Sequence, residues 1–131
     1  MKLACLFTIV IGSTACLGRP GYEADLRALE HELSERATVT RVQEWLAQHG
    51  PVRRSLDDAQ WPDSIRALQP LRVVEAECGG VEIIVRRGDL YAVVVCPPGT
   101  RPALAFHEPS MERPGYLGPL GSDAYIVMTE R

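Results

Sequence analysis

Lysine is nearly absent from this sequence. Of its 14 basic residues only Lys2 is lysine and the rest are arginine, set against 17 acidic residues for a net charge of −3. Genome composition accounts for that arginine preference, and no arginine-specific function is read from it. Binding to nucleic acid needs a basic surface to neutralise phosphates, so the charge balance excludes that partner. Histidine is scarce, at 3 residues, and so are aromatics, at 6%. No phosphate loop, dinucleotide fingerprint, Cys-x-x-Cys pair or nucleophile elbow occurs. His107, Glu108 and Glu112 are spaced like no metal-ligand template, and His49 has no catalytic partner nearby in sequence. Ser55, Asp57, Asp58 and the histidines form no recognised triad pattern. No cofactor, no metal and no catalytic residue are therefore expected.

What is present begins at the N-terminus. Lys2 is followed by the apolar run Leu3 to Ile11, then the small residues Gly12-Ser13-Thr14-Ala15, then Cys16. This is the order of a bacterial secretory signal, and the run is too short to span a membrane as an ordinary helix. Ser13-Thr14-Ala15-Cys16 resembles a lipoprotein lipobox, in which Cys16 is acylated and becomes the mature N-terminus. Ser13 departs from it, since lipoboxes usually carry leucine there. Cleavage by an ordinary signal peptidase after Ala15 fits the same residues, and an uncleaved apolar segment tucked onto the domain is the third reading. The expected organisation is a signal peptide over 1–15, a tether over 16–21 and one domain over 22–131, an ordinary size for a single unit.

The densest β-branched stretch is residues 71–96, LRVVEAECGGVEIIVRRGDLYAVVVC. Gly79-Gly80 and Gly88-Asp89 are both two-residue hairpin signals, so it reads as an antiparallel meander. Taken literally, these turns set Cys78 opposite Val81, Val81 opposite Cys96, and Val85 opposite Ala92. One face then carries Val74, Ala76, Cys78, Val81, Ile83, Val85, Ala92, Val94 and Cys96. The other is mixed, with a like-charge Glu77–Glu82 pair, and its apolar members Ile84, Tyr91, Val93 and Val95 are a candidate partner surface. Arg87-Gly88-Asp89 is also the integrin-recognition tripeptide, but Gly88-Asp89 is sufficiently explained as the turn itself.

Cys5 leaves with the signal and Cys16 is the lipidation candidate. Cys78 and Cys96 then remain as a candidate disulfide. The register above opposes it. Two strand spacings separate the pair by ~9.6 Å, beyond the ~7 Å Cα limit of a bridge. Either Cys78 leaves the ladder at a bulge near the glycines, or both are buried thiols.

Leu26, Leu29 and Leu33 make an apolar stripe on a helix over 22–36, and Glu23→Arg27 and Glu32→Arg36 are helix-supporting pairs. A second helix begins at Thr38 or Thr40 as cap and stops before Gly50-Pro51, with Val42, Trp45, Leu46 and His49 on one side. A short helix follows Trp61-Pro62, with Asp63 as candidate cap and Ile65 and Leu68 inward. Residues 97–123 read as a long Pro/Gly-rich loop holding a short strand over 103–106, and AYIVMT at 124–129 reads as a final strand. The fold class is α+β: two or three N-terminal helices packed on a three- to four-stranded antiparallel meander sheet.

WPDSIRALQPLRVV and the hairpin after it, roughly residues 61–96, resemble a short-helix-plus-hairpin scaffold of small uncharacterised bacterial exported proteins. The resemblance implies a shared scaffold and no activity. The expected function is that of a small cell-envelope protein, lipid-anchored through Cys16, acting by binding or structure and not as an enzyme. Its partners would be the membrane and an unidentified protein. The alternative is a soluble periplasmic or secreted enzyme or enzyme inhibitor that uses the loop 97–123 with His107.

Overall fold

The computed structural model describes residues 22–100, 115–121 and 123–129. The expectations for the signal peptide, the tether, the strand over 103–106 and His107 all lie outside these residues. Helix α1 (Tyr22–Glu35) and helix α2 (Thr38–His49) come first, then a 3-10 turn (Asp58–Gln60) and a one-turn helix α3 (Asp63–Arg66). Among the described residues five strands follow: β1 (Arg72–Glu75), β2 (Val81–Arg87), β3 (Asp89–Val95), β4 (Tyr116–Pro119) and β5 (Ala124–Met128). They form one antiparallel sheet in the order β1-β2-β3-β5-β4. The α+β arrangement is as expected. The sheet has five strands where three or four were expected, because β4 lies inside the stretch read as a loop.

The helices cover one face of the sheet. Leu29 and Leu33 of α1, Val42 and Leu46 of α2, and Ile65 and Leu68 around α3 are buried against Val73, Val81, Ile83, Val85, Tyr91, Val93, Val95 and Ile126. The leucine and valine positions of the helical stripes therefore face the core, as periods of three and four residues require, while His49, read on the same side of α2, is exposed. Arg87 fastens the layers together. Its guanidinium donates to both carboxylate oxygens of Glu32 at 3.2 Å and to the carbonyl of Leu68 at 2.9 Å. One side chain thus joins α1, the segment after α3 and the end of β2.

The strand register differs from the sequence expectation at both hairpins. Between β2 and β3, Arg87 pairs with Asp89 and Val81 with Val95, so Gly88 alone forms the apex. Its φ of 81° is the left-handed conformation that glycine adopts without a Cβ penalty. Between β1 and β2, Glu75 pairs with Val81, and residues 76–80 form a longer turn. In that turn Gly79 donates to the Ala76 carbonyl at 2.9 Å and Ala76 donates to the Gly80 carbonyl at 3.0 Å. Gly80 starts the return against the backbone of β3, where a Cβ would lie 2.8 Å from the Cys96 Cα. Each shift is an odd number of residues, so β1 and β3 present the opposite faces to those expected, while β2 keeps its own. Glu77 sits in the turn, and Glu82 faces Val74 and Val94 rather than another carboxylate.

Capping differs too. Ala37, with φ 52°, holds the cap position of α2 and makes no side-chain cap bond, while Thr38 is the first helical residue. Pro62, not Asp63, precedes the first turn of α3. Thr38 is fully buried, and its hydroxyl has no hydrogen-bond partner among the described residues. A buried hydroxyl without a partner carries its desolvation cost uncompensated. Thr38→Val keeps the shape and removes that group. We expect it to raise the unfolding free energy by about 1 kcal/mol, read as a higher urea midpoint with an unchanged slope.

Candidate functional site

The two cysteines proposed as a pair are joined. Cys78 and Cys96 form a disulfide across a sequence separation of 18, with Cα atoms 5.7 Å apart. The longer first turn makes this geometry accessible, because it takes Cys78 out of the ladder and swings it over the end of β3. Cys96 is fixed on two further sides. Its N–H donates to the Asp123 carbonyl at 2.8 Å, and its own carbonyl accepts from Nε2 of Gln43 on α2 at 3.3 Å. The bridge lies on the sheet face away from the helices, in a cluster with Ala76 and Val94.

The partner surface read from the sequence is not a surface. Tyr91, Val93 and Val95 are fully buried in the main core, because the one-residue shift of β3 turns them toward the helices. Only Ile84 lies on the outer face, packed with Ala92 and Val127. Cys16, the lipidation candidate, falls outside the described residues.

A different site emerges beside the helices. The outward side of α2, the α1–α2 turn and the start of α3 enclose an open groove of about 560 Å³. Arg41, Glu44, Trp45 and Gln48 line it from α2. Their spacing of i, i+3, i+4 and i+7 puts them on one helix face, adjoining the buried stripe of Val42 and Leu46. Pro62 and Asp63 form the facing wall. Trp45 is half-buried, packing partly on the core and stacking on the His49 ring with centroids 4.5 Å apart. Glu35 and Arg36 also line the groove and are engaged by residues of α1, His31 at 3.3 Å and Glu32 at 3.7 Å. The side chains of Arg41, Glu44, Gln48 and Asp63 make no hydrogen bond or ion pair among the described residues. The sequence reading placed Trp45 in the core stripe. The available signal was its company: Arg41, Glu44 and Gln48 at i−4, i−1 and i+3 mark Trp45 as bordering the polar side of the helix.

Among the described residues no group of three or more His, Cys, Asp or Glu is placed to hold a metal ion, and no helix is long and apolar enough to cross a membrane. No protein-family model, curated protein or solved structure matches the chain.

Proposed function

We propose that this is a small exported cell-envelope protein, held at the membrane through an acylated Cys16 and acting by binding. The observation that carries the address is the Cys78–Cys96 bridge. Disulfides persist in oxidising compartments and are rare where glutathione and thioredoxin keep thiols reduced. The N-terminal order of Lys2, an apolar run, small residues and Cys16 points the same way. Export would deliver the chain to a compartment where the bridge forms, and acylation would retain it there. A lipoprotein cysteine usually carries several acyl chains, as stable anchoring needs more than one.

The intact mass of the protein from its native host, measured without reductant, tests the reading. The expected species starts at Cys16, carries acyl chains, and is about 2 Da lighter than its reduced form. An unmodified chain starting at Cys16 would remove the anchor and leave a soluble exported protein. A chain starting at Met1 would overturn export.

A further inference from the structure

We infer that the groove between α2 and α3 binds a neutral saccharide, with a pyranose ring laid on Trp45. This rests on the reading of a binding protein and not on the address proposed for it. The groove's volume of about 560 Å³ falls in the range of small-ligand sites. Trp45 lines it, and a pyranose would take the indole face that is not stacked on His49, a π face that is electronegative. One face of a pyranose is a sheet of slightly positive C–H groups, apolar enough to leave water and complementary in sign to the ring.

The rim decides the ligand class. Arg41, Glu44, Gln48 and Asp63 surround the tryptophan with their hydrogen-bonding capacity unused among the described residues. An apolar ligand would strip water from these groups and return nothing. A ring edged with hydroxyls satisfies both kinds at once: hydroxyl hydrogens donate to the carboxylates, and hydroxyl oxygens accept from guanidinium and amide. Charge then separates neutral from acidic sugars. The charged side chains that line the groove are two positive, Arg36 and Arg41, and three negative, Glu35, Glu44 and Asp63. An anionic ring would meet net repulsion.

The two tryptophans provide an internal control. Trp61 does not line the groove, and its indole N–H donates to the Leu56 carbonyl at 3.4 Å. The full chain with its disulfide oxidised would be titrated with chitotriose, cellotriose, maltotriose, trigalacturonate and a proline-rich peptide, following the indole N–H cross-peaks by NMR. At least one neutral trisaccharide should shift the Trp45 peak saturably, with a Kd of about 1 mM or tighter, and leave the Trp61 peak in place. Trp45→Ala should abolish the response. Gln48→Ala, at an exposed position, should weaken binding about fivefold and keeps the test open if the tryptophan variant misfolds. No saturable shift with any neutral sugar, a response to trigalacturonate alone or to the peptide alone, or equal movement of both indoles would overturn the inference. A chain recovered from the host with Met1 intact but still binding sugar would sink the export reading and leave the groove standing.

Discussion

Tyr91→Ala is expected to lower the unfolding free energy by about 4 kcal/mol. Tyr91 is the largest of the fully buried side chains, packed at the centre of the helix-facing side. Truncation removes an aromatic ring from water-free contact and leaves a cavity that β3 cannot collapse to fill, since it is hydrogen-bonded to strands on both sides. The position also discriminates between registers. On the sequence expectation Tyr91 faces outward, and a surface substitution costs within about 0.5 kcal/mol. Leu71→Ala is the control, because Leu71 is 55% exposed and should stay inside that surface range. Chemical denaturation of the two variants would decide the matter. A small loss at Tyr91 would return β3 to the register in which its side chain is on the surface.

Opening the Cys78–Cys96 bridge should cost nearly as much. Closing a loop with a separation of 18 residues restricts the unfolded chain by about 3 kcal/mol at 25 °C on the loop-entropy model. Domains of this size have a total stability of about 5–15 kcal/mol. Reduction, or a Cys78→Ser and Cys96→Ser double variant, should therefore move the urea midpoint far below that of the oxidised protein. The loss should appear first at one end of the sheet, where the bridge, the Gln43 contact and the Asp123 contact all converge on Cys96. Hydrogen exchange at the amides of residues 94–96 would report it. Equal stability with and without reductant would show that the cysteines are not joined in solution, and would withdraw the observation on which the proposed compartment rests.

Helices α1 and α2 were legible because each carries one apolar stripe between polar faces, and only one rotation buries it. The faces of β2 were legible for the same reason: Glu82 and Arg86 alternate with Val81, Ile83 and Val85. Strand β3 offered no such marker. Ala92, Val93, Val94 and Val95 are all apolar and all buried, so sliding it by one residue moves no charge into the core and leaves no trace in the pattern. The turns then had to fix the register, and glycine doublets are ambiguous there. Gly79-Gly80 can be the two central residues of a tight turn. It can also be one left-handed residue followed by one that must lack a Cβ to pass the neighbouring backbone, and the protein uses the second arrangement. The disulfide was obscured by the same error, since an assumed tight turn holds Cys78 two strands from Cys96. The groove was harder still to read. It depends on how α3 sits against α2, a tertiary relation that no local period encodes.

The order of the strands in the sheet has a consequence for biosynthesis. Strand β5 lies between β3 and β4 yet is made after both. A chain emerging N-terminus first can build the helices and the β1–β2–β3 meander early, but the free edge of β3 stays unpaired until residues 124–128 appear. That edge is a valine-rich strand with open backbone donors and acceptors, the kind of template on which other chains assemble. The last strand to arrive is therefore the keystone. Until it is inserted, β4 has no neighbour to pair with and the sheet remains a three-stranded fragment, so the whole span to residue 128 must be free of the machinery that makes or moves it before the fold can close.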